Sequence, residues 1–331
     1  MWSRSLEVLR CRACSGSYEL HATETAGDEI LAGELSCTGC KQRVPIEDAI
    51  PRFVPRQNYA SSFGFQWKRF GELQVDRLHS HTMSRDRFFL EVGIPREELA
   101  SMRVLEAGCG GGRFSDVVLE AGAELYSVDL SDAVDKNRDI HQSHERLHLL
   151  QASITDLPLR PGSFDLVFCF GVIQHTPDPA ATFRALVPFV KPGGRLAVDV
   201  YAAHPKQVLH WKYLLRPLAK RMPKDQLLDV IERATPPLLE VARTLRRVPK
   251  IGKALTRLVP LKIHEGILNQ FPLDIERKLA VLETFDAYSP AYDRPRSRRT
   301  VERWFRDAGF SQIETFSLMR GLNYGRAIKP R

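Results

Sequence analysis

The sequence predicts an α/β fold with two additions, one small and one helical. Three observations carry that prediction: a strand, glycine turn, helix and strand at the centre, two Cys-x-x-Cys pairs near the start, and a long basic stretch with many prolines in the second half. The central unit begins with VLEAGCGGGR, Val104 to Arg113, and closes with SVDLS at Ser131. Val104 and Leu105 supply a buried strand end, and Gly108, Gly110, Gly111 and Gly112 permit a tight turn with close backbone approach. A helix should start near Arg113. Sixteen residues beyond it, Asp129 ends a second apolar strand, where its carboxylate is placed to accept hydrogen bonds from both hydroxyls of a ribose. The glycine turn alone would equally serve NAD or be purely structural. Glu106, just before the glycines, suits a ligand that carries an ammonium group and would repel a pyrophosphate. S-adenosylmethionine is therefore the leading cofactor.

Two further segments follow in order, QASITDLPLRPGSFDLVFCFGVIQHTPDP from Gln151 and VKPGGRLAV from Val190. With them the chain resembles the class I S-adenosylmethionine-dependent methyltransferases, in the broad subgroup with a methyltransferase type 11 core, over about residues 102–200. The resemblance implies a transferase with a Rossmann-like, mostly parallel seven-stranded sheet, its last strand antiparallel, and helices on both faces. It places Glu106, Gly108 and Gly110 around the methionine moiety, Asp129 and Leu130 at the ribose and adenine, and Ser153 and Ile154 at the adenine edge. Many relatives carry Asp where this chain has Ser153, and the Ile154 amide or Asp156 would substitute. Phe170 and Gly171 end the fourth strand, where methionine and substrate meet, and Gln174 and His175 follow at the mouth of the pocket.

The chain has 331 residues, 43% of them hydrophobic, enough for one large α/β domain plus an accessory module. No apolar run approaches the roughly 20 residues that cross a bilayer. The start, MWSRSLEVLRCRAC, lacks the continuous apolar stretch of a secretory leader, so a cytoplasmic enzyme is expected. Cys109 and Cys169 lie in the central motifs and read most simply as buried small residues. The other cysteines form two pairs, Cys11 with Cys14 and Cys37 with Cys40, with 22 residues between the pairs. This is zinc-ribbon spacing: two facing turns offer four thiolates at tetrahedral corners about 2.3 Å from a metal. Disulfides are the rival reading, disfavoured in a reducing compartment. Four thiolates leave no open position, so the zinc should be structural and should fold a module at residues 1–56 that has little core of its own. That segment resembles the Trm112-like zinc ribbons attached to methyltransferases.

Residues 57–101 read as linker and helical lid. Tyr59, Phe63, Gln66 and Trp67 are candidates to close over the adenosine, although the aromatics would equally form the apolar face of a docking helix. The methyltransferase domain then runs over 102–331, with a helical insertion at about 201–295. LLDVIERA and LLEVARTLRRV show apolar spacings of three and four, and Pro217, Pro223, Pro236, Pro237, Pro249 and Pro260 should break the insertion into short helices. From Ala203 to Lys262 there are fourteen Lys plus Arg against four Asp plus Glu, a net of +10, while the whole chain carries +8. Such a segment suits an anionic or polar small molecule, glycan or lipid substrate, RNA, or the surface of an acidic membrane. A solvated helical face is the plain alternative.

Asp286, Tyr288 and Tyr292 are expected in a polar, aromatic loop near the sulfonium, as substrate contacts or as the cap of the following helix. Histidine titrates near neutrality, which makes His175 the candidate base. No Asn-Pro-Pro-Tyr clamp follows the fourth strand, and this favours oxygen over nitrogen as acceptor. Three functions remain open: a methyltransferase for a small metabolite, glycan or lipid precursor, an RNA methyltransferase guided by its ribbon, and a cofactor-binding scaffold.

Overall fold

The computed structural model describes residues 1–56, 58–79, 81–203, 211–263, 271–318 and 321–331. The chain folds into two compact units, Met1–Ala202 with Tyr292–Arg331, and Ala203–Ala291. The first opens with an antiparallel sheet of β1 (Tyr18–Ala26), β2 (Glu29–Cys37), β3 (Arg43–Glu47) and β4 (Ile50–Pro51), in that order. Its inward side chains, Leu35, Val44 and Ile46, are buried in the same apolar cluster as Leu105, Val128 and Leu150 of the large sheet. Just past β4, Arg52 bridges Gln151 in parallel register, and the Phe53 N–H donates to the Gln151 carbonyl at 2.8 Å. Arg52 also pairs with Asp135 at 2.6 Å, and the Ser5 hydroxyl lies 2.7 Å from His148 Nδ1.

The large sheet comprises β5 (Arg103–Ala107), β6 (Glu124–Asp129), β7 (Leu147–Gln151), β8 (Phe164–Cys169), β9 (Val190–Tyr201), β10 (Ser311–Leu318) and β11 (Leu322–Ile328). Their order is β10-β11-β9-β8-β5-β6-β7. Strands β5 to β9 pair in parallel, and β11 runs antiparallel to both β9 and β10. This is the predicted seven-stranded sheet, mostly parallel with its last strand antiparallel. Its inner strands are almost wholly buried because helices cover both faces, which is why VLEA and DLVFC read as continuous apolar runs with little alternation. Helix Arg113–Glu120 starts directly after the glycines, at the predicted residue.

The second unit is helical, with Trp211–Ala219, Lys224–Arg246, Gly252–Leu255 and Leu273–Tyr288. The expectation that prolines break it into short pieces is corrected: Lys224–Arg246 runs unbroken through Pro236 and Pro237, and Trp211–Ala219 contains Pro217. An interior proline forfeits an N–H donor and costs about 3 kcal/mol. Leu227, Leu228, Ile231, Leu239 and Ala242 are buried on both sides of the proline pair, and their burial outweighs that cost. The Thr235 hydroxyl donates to the Ile231 carbonyl at 2.7 Å just before the prolines. Within the same unit Arg243 meets the buried Glu276 at 2.9 Å. Among the described residues, no helix is long and apolar enough to cross a membrane.

Candidate active site and metal site

The carboxyl ends of the parallel strands carry the candidate site, as expected of an open α/β sheet. A charged surface cleft lined by Arg103, Glu124, Asp165 and Lys191 lies at the opposite, amino-terminal ends. At the end of β5, Glu106 is buried and its Oε2 accepts from the hydroxyls of Ser115 at 2.5 Å and Ser127 at 2.8 Å. Burial, opposed by those two hydroxyls and reinforced by Asp129, pushes the Glu106 carboxyl up to about 7. At the end of β6, Asp129 Oδ2 accepts from the Gly110 N–H at 2.8 Å, which pins the glycine turn to the neighbouring strand. Asp129 Oδ1 accepts from the Ser131 N–H at 2.8 Å and hydroxyl at 2.7 Å. Burial raises the Asp129 carboxyl above its ordinary value against these three donors.

Gly110 has φ +51°, and a Cβ there would lie 2.8 Å from Trp67 Nε1, so Trp67 packs directly on the turn. Its helix, Ser61–Phe70, is held by Lys68, which pairs with Asp132 at 2.5 Å. Gln66 of that helix is 2% exposed, yet its Oε1 has no partner among the described residues. Leu130 contributes its carbonyl, which accepts from Asn58 Nδ2 at 2.8 Å. Ser153 is the N-cap of the turn Ile154–Asp156, its hydroxyl accepting from the Thr155 N–H at 3.3 Å. The Asp156 side chain pairs with Arg12 at 2.7 Å.

The end of β8 is built differently. Gly171 has φ +74°, and a Cβ there would meet nothing within 4 Å. Next to it, Phe170 packs against Phe88, Phe114 and Phe168. Gln174 is fully buried, and neither its Oε1 nor its Nε2 has a partner among the described residues. His175 lies 2.9 Å through Nδ1 from the Tyr292 carbonyl, with its ring between Phe63 and Tyr201 at centroid distances of 5.1 and 5.2 Å. Tyr292 meets Tyr59 edge-on at 5.5 Å. The structure thus brings Phe63, His175, Tyr201 and Tyr292 together from four distant parts of the chain.

Two of the residues expected in a loop are helical. Helix Leu273–Tyr288 continues through Asp286 and Tyr288 in the second unit, and the Tyr288 hydroxyl donates to the Pro260 carbonyl at 3.0 Å. The expectation of a loop over Asp286 and Tyr288 is corrected, because the helical register continues through both. The following helix, Arg298–Asp307, is capped by Ser297, whose hydroxyl accepts from the Thr300 N–H. Asp199 on β9 was missed. It accepts from the Gly171 N–H at 2.5 Å and pairs with Arg87, whose Nε reaches Glu91 at 2.7 Å. Burial, opposed by Arg87 and reinforced by Asp199, pushes Glu91 up to about 8. A lone acid within the apolar strand LAVDVY was the available signal.

In the ribbon, the Sγ atoms of Cys11, Cys14, Cys37 and Cys40 all lie within 4.8 Å of one another. Each pair sits on a turn closed by a backbone bond, Ser15 N–H to the Cys11 carbonyl and Lys41 N–H to the Cys37 carbonyl. No disulfide joins them. The backbone N–H of Cys40 draws the Cys37 thiol down to about 6, so thiolate is available near neutral pH. These four donors can hold a structural zinc ion with its coordination closed. Burial raises the Cys109 and Cys169 thiols well above their ordinary value, as befits inert core residues.

Residues 105–198 match a family model described as a methyltransferase domain. Over 138 residues, 40% of this chain, it is 37% identical to the ubiquinone biosynthesis O-methyltransferase of Xanthomonas euvesicatoria pv. vesicatoria, covering 58% of that protein. The protein of the same description from Xanthomonas campestris pv. campestris is 36% identical over 132 residues, 38% of this chain and 55% of its own length. The chain therefore spans just over half the length of these relatives. Among solved structures, the complex between the Haloferax volcanii Trm112 methyltransferase activator and its companion aligns with 84% of this chain and 98% of that one, at 12% identity and a TM-score of 0.47. Human N-acetylserotonin methyltransferase with its bound cofactor aligns with 84% of this chain and 61% of its own, at 14% identity and a TM-score of 0.45.

Proposed function

We infer that this chain, whose residues 105–198 form a methyltransferase domain, transfers a methyl group from S-adenosylmethionine to an oxygen of a small metabolite, glycan or lipid precursor. The observation that carries this reading is the buried pair at the end of β8: the Gln174 amide, without a partner among the described residues, beside His175, whose Nδ1 meets the Tyr292 carbonyl. The Gln66 oxygen, unpartnered among the described residues, and the open space at Gly171 fit a polar ligand lying between the glycine turn and that pair. The relatives named as O-methyltransferases support oxygen as the acceptor atom.

When bound, S-adenosylmethionine supplies an electrophilic methyl group on a sulfonium. Asp129 would hold the ribose hydroxyls, Leu130 and Ile154 would flank the adenine, and Glu106 and Gly108 would face the methionine end. Trp67 and Gln66 would close over the cofactor and keep water out. An acceptor hydroxyl must shed its proton as its oxygen takes the methyl, so the facing wall needs a base. A carbonyl only accepts, so the His175 proton resides on Nδ1 and Nε2 is the basic nitrogen. The hydroxyl proton passes to Nε2, and Gln174 orients the acceptor through a second polar group.

The test is transfer of a radiolabelled methyl group to an extract of the native host, separated into small molecules, lipids, protein and RNA. Label among small molecules or lipids is expected. Ribonuclease-sensitive label would overturn the acceptor class, and no label despite cofactor binding would leave a scaffold. The metal has its own check in native mass spectrometry, which should show one zinc that is lost when Cys37 and Cys40 are replaced by Ser. A metal-free folded chain would rule it out.

A further inference from the structure

Helix Trp211–Ala219 of the second unit is turned inside out. It buries Arg216, which donates to the carbonyls of Ala287 at 3.2 Å and Pro290 at 2.9 Å, while Leu214 and Leu218 stand 61% and 68% exposed. Trp211 and Leu215 extend that outward ridge at helical spacing. Trp211 Nε1 donates to the Leu258 carbonyl at 2.8 Å, which sets Leu258, 65% exposed, beside the ridge. Lys220 and Arg221 directly follow the helix and Arg257 adjoins Leu258; these three and Arg247 and Lys250 of the same unit are exposed, and none pairs with an acidic side chain among the described residues.

We propose that the second unit seats the protein reversibly on an anionic membrane surface through this leucine ridge and the unit's exposed cations. The pairing is what such a surface rewards: aliphatic side chains enter the boundary of the acyl chains while the cations meet the headgroups. A second copy of the chain would bring the same positive charges face to face, which opposes self-association there. RNA bound without sequence preference is held by aromatic stacking, whereas this ridge is mainly leucine. The inference stands apart from the methyl-transfer reading, because its readout is binding alone.

The experiment is flotation of the full chain with phosphatidylcholine vesicles, with and without phosphatidylglycerol. Binding is expected only with phosphatidylglycerol, weakening as salt rises. L214D/L218D should lower vesicle binding roughly tenfold or more, with thermal unfolding unchanged because both positions are exposed. R247E/K250E/R257E should abolish the response to phosphatidylglycerol, whereas Leu90→Asp, an exposed position in the first unit, should keep it. No binding to anionic vesicles, or binding indifferent to L214D/L218D, overturns the proposal. So does vesicle-independent capture of RNA that the basic substitutions abolish and the leucine substitutions leave intact, or a dimer that L214D/L218D dissociates.

Discussion

At the end of β6, both oxygens of Asp129 already accept hydrogen bonds, one from Gly110 and the other twice from Ser131. At the end of β8, by contrast, the buried Gln174 amide has no partner among the described residues. The first wall is assembled by the chain itself, with hydroxyls and backbone N–H groups fixing each carboxylate. The second holds the Gln174 amide, whose burial goes uncompensated among the described residues, an arrangement that costs stability and is retained where a ligand completes it. On the proposed function, the difference separates a rigid wall for the cofactor from a wall that an acceptor would complete.

The largest expected effect tests how far the first wall is preformed. Glu106 rises from an ordinary value of 4.5 to about 7 in the fold. It therefore contributes stability that is fully present below about 4.5 and is lost as pH rises through about 7, a swing of about 3 kcal/mol. Urea unfolding of the native chain and Glu106→Gln at the two ends of this window should show their difference in stability shifting by that amount. A flat difference would mean that the carboxyl ionises freely, and the wall would be looser than drawn. Next, Asp129→Ala should weaken S-adenosylmethionine binding by about 1.5–3 kcal/mol in calorimetry. Unchanged affinity would detach the cofactor from β6.

The second wall predicts the opposite response. Gln174→Leu removes a buried amide that is unpaired among the described residues, so fold stability should hold or rise by about 1–2 kcal/mol while kcat/KM falls. A clear loss of stability would show that the amide is satisfied within the chain, and the contrast between the walls would collapse. Smallest, His175→Gln should leave cofactor binding intact and lower turnover about tenfold, equivalent to about 1.4 kcal/mol. Unchanged turnover would remove His175 from proton transfer.

The wall at the ends of β5 and β6 was legible in the sequence because its parts are local: Glu106, the glycines and Asp129 lie on two adjacent strands joined by one helix, and the spacing encodes the turn. The ribbon was legible for the same reason, since two short motifs specify four ligands. The acceptor wall was only half visible. Gln174 and His175 stand in one motif, but Phe63, Tyr201 and Tyr292 reach them through tertiary folding that no local pattern announces. The helices of the second unit ran past their prolines because buried leucines on both sides overrode a local rule. The loop expected over Asp286 and Tyr288 failed for a related reason: it is the last turn of a helix.

The bridge from Arg52 to Gln151 and the bond from Phe53 put the ribbon against β7, the outermost parallel strand. An uncovered outer strand is a template on which other chains polymerise. The four cysteines thus guard more than a small fold: a chain stripped of its metal would release the piece that shields this border, and clumping would be an early symptom of oxidised or chelated protein.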